Sequence, residues 1–391
     1  MTKLYLLEPD GAGHAWAPFL GCRPLAELRA GVWRIRERWE GVTGLETAAI
    51  LGRHAADFSE DDAPVVQPPD GIDGPAVVVR SDFAPSGDPV GVPDASATLT
   101  HEGRVVGWAI PEGSRWDGAD DAGDGVEVAG VPLDGSWDLL TALELLLPAD
   151  CHGILQEAGS LEIPAGSIVI GDPGDIFILS PGIEPGVVFD TRGGAIIVEE
   201  GAEIRSGARL EGPLYVGAGT RILGGAVRGS VFGPECRIHG EVAASVFLGY
   251  ANKSHDGFVG HSVVGRWANL GAGTITSNLK NTYGDVRVEI DGQRFETGRQ
   301  FLGSIVGDHA KTAIGTLLPT GTVIGAGANM FGPGAVPKWI PPFAWGTDGA
   351  EVLGEEGFLR TAHRVLPRRQ VALTPAVEAS LRATWARLAR R

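Results

Sequence analysis

An apolar side chain recurs at every sixth position through much of the second half of the chain, and this period constrains the fold more than any other feature. The longest series is Val198, Ile204, Leu210, Val216 and Ile222. A period of six fits neither an α-helix nor a plain strand, but it fits a coil with three flat faces of six residues each. Each coil buries one apolar side chain per face, and glycine, with 59 residues in the chain, turns the corners. The shorter series with this spacing are Phe177, Ile183 and Phe189; Phe232 and Ile238; Val264 and Leu270; and Leu318, Ile324 and Met330.

The repeat predicts a left-handed parallel β-helix, because one coil alone cannot bury its row of apolar side chains and many must stack. A glycine-rich β-sandwich with accidental spacing is the alternative. Two segments interrupt the period, residues 250–261 and residues 277–303. Interruptions of a solenoid form loops, where binding sites concentrate. In the second one, Asp291-Gly292 joins two strand-like runs and predicts a hairpin.

The parts of the chain before and after the repeat lack the six-residue period. Residues 1–160 combine apolar strands with helices expected over residues 24–40 and 137–150, which predicts a small α/β domain. Residues 161–345 form the predicted β-helix domain, and residues 346–391 a helical segment. The fold class is therefore mixed. The basic end of the last helix, Arg387, Arg390 and Arg391, is either a solvated face near the negative helix end or a contact for an anion or a subunit.

Composition excludes some classes of function. A net charge of −17 argues against sequence-independent binding of nucleic acid, which requires neutralised phosphates. The cysteines Cys22, Cys151 and Cys236 are isolated, which favours buried thiols in a reducing compartment. The first residues lack a hydrophobic signal core and no run of 18 apolar residues follows, so we expect a cytoplasmic protein without a membrane span.

Three motifs resemble a known family. ANKSHDGFVGHSVVGRWANLGAGTITSNLKN and GRQFLGSIVGDHAKTAI are similar to the acetyltransferase half of the bifunctional glucosamine-1-phosphate acetyltransferase/N-acetylglucosamine-1-phosphate uridylyltransferases, in their archaeal and Bacteroidetes-type forms. RPLAELRAGVWRIRERW resembles an amino-terminal segment of the same relatives. The resemblance implies transfer of an acetyl group from acetyl-CoA to an amino sugar 1-phosphate, and a homotrimer with active sites between subunits.

The resemblance also implies roles for loop residues. His255 falls on the family's general base. An ammonium cannot attack a thioester, so a side chain with a pKa near 6.5 suits the removal of its proton. Asn269 and Asn278 fall on substrate-contacting asparagines, although Asn269 could instead belong to an amide ladder inside the β-helix.

Three cations lie in or near the two loops. Lys253, Lys280 and Arg287 could hold the phosphates of the sugar or of coenzyme A, or could simply be solvated.

Some positions depart from the family pattern. Phe258 replaces a tyrosine that contacts the substrate, Gly284 replaces a lysine, and His261 replaces an acidic residue. These changes leave the β-helix intact and put the sugar specificity in question.

The amino-terminal region resembles a shortened sugar nucleotidyltransferase. That chemistry requires a glycine-rich phosphate loop, a cation and carboxylates for Mg²⁺. The chain offers Gly-Ala-Gly at 11–13, Arg23 and Arg29 as nucleotide-binding candidates, and Asp82 as a metal ligand, but not the full glycine-rich signature. Mg²⁺ is expected only if this activity is retained. The alternatives to acetyl transfer are therefore a sugar-1-phosphate nucleotidyltransferase trimerised by the β-helix, and a non-catalytic trimeric scaffold.

Overall fold

The computed structural model describes residues 1–9, 13–60, 62–118, 125–332, 336–346, 349 and 351–389. Two of the three residues in the Gly-Ala-Gly segment, together with Arg390 and Arg391, lie outside the described residues. None of the helices in the described ranges combines the length and the apolar character that a bilayer crossing requires.

The amino-terminal part is an α/β unit built on a seven-stranded mixed sheet in the order β12-β9-β10-β7-β1-β4-β5. Strands β1, β4 and β7 run parallel, and β10 closes antiparallel onto β7. The helices are α1 (Ile35–Thr43) and α2 (Asp138–Leu155). The strands of this part are β1 Lys3–Leu7, β2 Arg29–Ala30, β3 Trp33–Arg34, β4 Thr47–Leu51, β5 Val66–Gln67, β6 Ile72–Asp73, β7 Ala76–Arg80, β8 Phe83–Pro85, β9 Ala97–His101, β10 Arg104–Ile110, β11 Arg115–Trp116, β12 Gly125–Glu127 and β13 Gly130–Pro132.

The helix predicted over residues 24–40 is wrong in its first half. A 3-10 turn covers Leu25–Glu27, β2 and β3 pair as a short ribbon, and the α-helix begins only at Ile35. The Glu8 carboxylate accepts hydrogen bonds from the backbone N–H groups of Leu25 and Ala26, and Gly31 adopts a positive φ of 69° between the two strands. The pairing of β2 with β3 replaces the helical ladder there, although Leu25, Leu28, Val32 and Ile35 are buried.

The second part is a left-handed parallel β-helix with three long faces, which confirms the prediction from the six-residue period. Its first face is the sheet β14-β16-β19-β22-β25-β28, its second β15-β17-β20-β23-β26-β29-β34-β37-β39, and its third β18-β21-β24-β27-β30-β35-β38-β40-β41. The strands are β14 Ile168–Ile170, β15 Ile176–Ile178, β16 Val188–Asp190, β17 Ile196–Val198, β18 Glu203–Ile204, β19 Arg209–Glu211, β20 Leu214–Val216, β21 Arg221–Ile222, β22 Ala226–Arg228, β23 Val231–Phe232, β24 Arg237–Ile238, β25 Glu241–Ala243, β26 Val246–Phe247, β27 Asn252–Lys253, β28 Phe258–Gly260, β29 Val263–Val264, β30 Asn269–Leu270, β31 Ile275–Thr276, β32 Arg287–Ile290, β33 Gln293–Glu296, β34 Ser304–Val306, β35 Lys311–Thr312, β36 Leu317–Leu318, β37 Thr322–Ile324, β38 Asn329–Met330, β39 Trp339–Ile340, β40 Ala344–Trp345 and β41 Glu351–Val352.

The interior of the β-helix holds the six-spaced side chains, with one difference. Val198, Ile204 and Leu210 lie in its core as predicted. Phe177 does not: its neighbours Ile176 and Ile178 point inward, and Phe177 points out toward the amino-terminal core. The second face is therefore buried on both sides, which makes its strands apolar at successive positions and hides which residue faces inward.

Elements outside the coils pack against two of the faces. Helix α2 lies across the second face, next to the hairpin of β32 and β33 whose pairing confirms the Asp291-Gly292 prediction. Beyond β41 the chain forms α3 (Glu355–Val365) and α4 (Pro375–Leu388), which pack on the corner between the second and third faces. The predicted helices in these two regions are thus present. All three cysteines are free and buried.

Candidate functional site

The loop that carries His255 leaves the third face after β27 and enters the first face at β28. The His255 side chain is exposed to solvent. The backbone carbonyl of Asp256 accepts a hydrogen bond of 2.9 Å from the N–H of Gly273, so the loop rests against the coil above it. The imidazole is thus presented to solvent at a coil corner by a backbone that is fixed on its inner side.

Lys253 anchors this loop from below. Its ammonium is buried and donates to the backbone carbonyls of His239 at 2.6 Å and His255 at 2.9 Å. Burial lowers the pKa of Lys253 from 10.5 to about 8. In this conformation Lys253 positions the loop that carries His255, and its ammonium points to carbonyl groups of the chain.

The Lys253 ammonium predicts a rise in stability with pH. Its pKa is lower in the folded chain than in the unfolded chain, so between about pH 8 and 10.5 the unfolded chain binds more protons and the free energy of unfolding increases with pH. Urea unfolding at pH 8 and pH 10 measures this slope. We expect Lys253→Met to reduce the slope and the exposed Lys3→Met to leave it unchanged. Equal slopes in all three proteins would contradict the burial argument.

Asn278 lies beside Phe258 and His261, two residues of the first face that depart from the family pattern. Its side-chain amide donates to Nδ1 of His261 at 2.9 Å, and the His261 ring stacks on Phe301 with centroids 5.1 Å apart. A Cβ at Gly260 would collide with the Phe258 ring and the Asn278 amide, so these two side chains are neighbours across that glycine. Burial and the nearby Arg299 lower the pKa of His261. A neutral histidine therefore orients Asn278 where the family has an acidic residue.

Asn269 belongs to the third face and takes part in an amide ladder. The Asn252 amide donates to Oδ1 of Asn269 at 2.8 Å, and β30 places Asn269 beside Lys311 in the next coil. Lys253 and Leu270 fill the inward positions of β27 and β30, so this amide pair lies on the outer side of the third face and not inside the β-helix. The same asparagine also lines a cavity of about 290 Å³, so a ligand there would contact its side chain.

The other two loop cations lie on and near the hairpin. Lys280 donates to the backbone carbonyl of Asp285, and Arg287 forms an exposed ion pair with Glu296 at 2.6 Å across β32 and β33. Ion pairs of this kind contribute little and exchange readily. Both cations can therefore turn toward a phosphate without loss of a buried contact.

The amino-terminal candidates are all engaged within the chain. Arg29 donates to the carbonyl of Val32. Both oxygens of Asp82 accept hydrogen bonds from Arg80, and one also accepts from Arg104 at 2.8 Å, so a divalent cation at Asp82 would compete with two guanidinium groups. The described ranges hold no group of three or more His, Cys, Asp or Glu side chains arranged to bind a metal ion. In this conformation Asp82 does not fit the role of an Mg²⁺ ligand.

Arg23 lies at the junction of the three parts of the chain. It is buried and bridges Glu60 at 2.5 Å and Asp308 of the β-helix at 2.9 Å. Beside it is a cavity of about 320 Å³, whose walls come from residues 22–62, from the β-helix and from the carboxy-terminal helices. The sequence analysis missed this cavity, because residues 285 positions apart form its charged wall.

Several curated proteins are similar to parts of this chain. A bifunctional sugar-1-phosphate nucleotidylyltransferase/acetyltransferase of Sulfurisphaera tokodaii is 38% identical over 154 residues, which cover 37% of this chain and 36% of that protein. The bifunctional protein GlmU of Methanocaldococcus jannaschii is 37% identical over 86 residues, covering 22% and 21%. The chain is a relative of the GlmU-type bifunctional proteins. The GlmU of Chromobacterium violaceum, 27% identical over 239 residues, extends the likeness to 52% of this chain and 48% of that protein.

The chain matches only part of the length of each GlmU-type protein. The chain matches 36%, 21% and 48% of the three relatives, so it spans between about a fifth and a half of their length. No protein-family model matches the sequence. The resemblance read from the motifs is confirmed, and the activity of the whole relatives is not thereby transferred to this chain.

Proposed function

We propose that the chain transfers an acetyl group from acetyl-CoA to the amine of an amino sugar 1-phosphate, with glucosamine-1-phosphate as the first candidate. The observation that carries the proposal is His255, exposed on a loop whose backbone Lys253 and Gly273 fix from the inner side. The motif around it matches the acetyltransferase half of the GlmU-type relatives, one of which is named for nucleotidylyl and acetyl transfer.

The proposed reaction begins with removal of a proton. The sugar ammonium first releases one proton to solvent, and the free amine nitrogen then forms a bond to the thioester carbon while His255 takes a second proton from that nitrogen. The tetrahedral oxyanion forms near backbone N–H groups of the coil corner, where fixed dipoles stabilise it. The carbon–sulfur bond breaks, and the imidazolium returns a proton to the leaving thiolate of coenzyme A.

The remaining residues hold the substrate. Asn278, oriented by His261, is placed to hydrogen-bond the sugar, with the Phe258 ring beside it as an apolar wall. Lys280 and Arg287 supply positive charge for a phosphate. With phenylalanine in place of tyrosine, the acceptor loses one hydrogen bond, which favours a sugar that offers an apolar edge at that point.

A homotrimer fits this arrangement. Ile275 and Leu317 pair across β31 and β36 and are 43% and 52% exposed, and Ile314 nearby is 80% exposed. Apolar side chains grouped at the surface favour a protein interface. Light scattering of the intact chain tests the trimer by its mass.

Acetyl transfer is tested by following free thiol. The protein is incubated with acetyl-CoA and glucosamine-1-phosphate, and we expect thiol release that requires both substrates. A parallel reaction with UTP, Mg²⁺ and N-acetylglucosamine-1-phosphate is followed by pyrophosphate. Pyrophosphate without thiol would replace acetyl transfer by the nucleotidyltransferase alternative, and silence in both reactions across several amino sugars would favour the scaffold.

A further inference from the structure

One corner of the β-helix carries aromatic side chains in a backbone conformation that favours glycine. Between the second and third faces, the coils from Gly201 onward turn through a left-handed residue, which is Gly201, Gly219 and then Glu235. In the three coils that follow it is an aromatic residue, Tyr250, Trp267 and His309, with φ of 57°, 61° and 60°. A side chain in this conformation is strained, because its Cβ lies close to the following carbonyl oxygen. Such strain collects at functional sites, which makes this corner a candidate for one.

The three rings form a stack along the corner. Tyr250 and Trp267 are stacked with centroids 4.4 Å apart, and His309 lies nearly parallel to Trp267 at 6.4 Å. The Arg266 guanidinium lies 4.7 Å from the centre of the Tyr250 ring. The stack therefore presents flat aromatic surface and a cation to whatever lies beside it.

The cavity of about 320 Å³ adjoins this stack. Packing of the carboxy-terminal helices alone does not explain it, because well-packed interfaces leave few voids larger than a water molecule. Its charged walls are Arg23 and Arg266 against Glu60, Asp62 and Asp308, an excess of one carboxylate that disfavours an anion here. Burial lowers the pKa of His309 to about 3, so the imidazole is neutral at pH 7. An uncharged planar ring with hydrogen-bonding edges suits such a cavity.

A second cavity shares the Tyr250 and Trp267 walls and has the opposite electrostatic character. Its volume is about 290 Å³, and it is lined by Lys311, Arg368 and Arg369 without any carboxylate among its lining residues. Within the described ranges, the Lys311 ammonium takes part in no hydrogen bond or ion pair, and burial lowers its pKa to about 8. Three cations without a carboxylate, in a chain of net charge −17, indicate an anion site.

We propose that these adjoining cavities bind a nucleotide, with its heteroaromatic ring in the aromatic cavity and its phosphate in the basic one. Aromatic stacking and a positively charged phosphate pocket are the two contacts by which such molecules are held. The proposal depends on these contacts and not on the transfer reaction. Asn269 is the residue that the basic cavity shares with the proposed acceptor site.

Calorimetric titration of the full chain with AMP, UMP, coenzyme A and inorganic phosphate tests the proposal. We expect at least one of the three nucleotides to bind, and Lys311→Met to weaken that binding at least tenfold. Trp267→Gly, which the left-handed backbone accommodates, is expected to do the same. Lys3→Met, a matched loss of an exposed lysine, and His255→Ala should bind within twofold of the natural chain. Neither Lys3 nor His255 lines the two cavities, which is why neither variant should change the affinity.

The ligand that binds most tightly shows whether the cavities hold coenzyme A or a mononucleotide. Coenzyme A alone would make the cavities a site for the acyl donor, and AMP or UMP alone would make them a separate nucleotide site. No binding at millimolar concentration would overturn the proposal. So would inorganic phosphate that binds as tightly as the nucleotides, or full affinity in Lys311→Met. Because Trp267 packs on Ala362 and Leu366, its variant counts only if its melting temperature stays near that of the natural chain.

Discussion

Replacing His255 by alanine is expected to lower kcat for thiol release by about 10²- to 10⁴-fold, which is the usual contribution of a positioned general base. The KM for acetyl-CoA should change little, because the imidazole acts on the acceptor amine. The imidazole is exposed and its loop is fixed from the inner side, so the substitution leaves the packed residues in place. Steady-state rates at saturating acetyl-CoA measure the effect.

His152→Ala provides the matched control, because His152 is exposed on α2 and has no part in the proposed site. Added imidazole should restore part of the activity of His255→Ala and none in the control. His261→Ala separates the roles of the two histidines: if Asn278 orients the acceptor, this variant should mainly raise the KM of the sugar phosphate. A kcat that falls in His261→Ala and persists in His255→Ala would make His261 the base and refute our assignment.

The β-helix was predictable because its core repeats in the sequence. Val198, Ile204 and Leu210 are separated by six residues, and each points into the same core from a different face of the coil. The prediction that Phe177 points inward was wrong, because the strands of the second face are apolar on both sides. The six-residue period cannot tell which side faces the core. The helix over residues 24–40 failed for another reason: β2 and β3 pair with each other, and Asp150, distant in sequence, accepts from the Val32 N–H that a helix would have used.

The candidate site was predictable only where a loop interrupts the repeat. His255 and Asn278 lie in or beside such interruptions, whereas the roles of Lys253 and His261 depend on contacts between coils. The aromatic corner left a readable signal, since a ring stands where earlier coils have glycine. That these rings line a cavity could not be predicted, because the carboxy-terminal helices that close the cavity are remote in sequence. Arg23 stood out as a nucleotide-binding candidate, but its place in an ion cluster left no signal, because both of its partners are remote in sequence.

The Arg23 cluster predicts the largest effect on stability. Arg23→Met should lower the free energy of unfolding by about 3–5 kcal/mol, because removal of one partner from a buried ion cluster leaves the other charges uncompensated. Burial alone raises the pKa of Glu60, but Arg23 and Arg266 together lower it to about 2. The folded Glu60 thus depends on these two cations for its charge. Urea unfolding at pH 7 measures the loss.

The control for Arg23 is Arg53→Met, which removes an arginine that is 68% exposed from its pair with Asp70, itself 74% exposed. A surface pair contributes about 0–1 kcal/mol, so this variant should unfold close to the natural chain. An equal loss of unfolding free energy in the two variants would show that burial of the Arg23 cluster does not increase its contribution to stability. If uncompensated charge is the cause, adding Glu60→Gln and Asp308→Asn to Arg23→Met should recover part of the stability. Further destabilisation in that triple variant would instead point to lost packing between the amino-terminal unit and the β-helix, since Arg23 is the residue through which Glu60 and Asp308 meet.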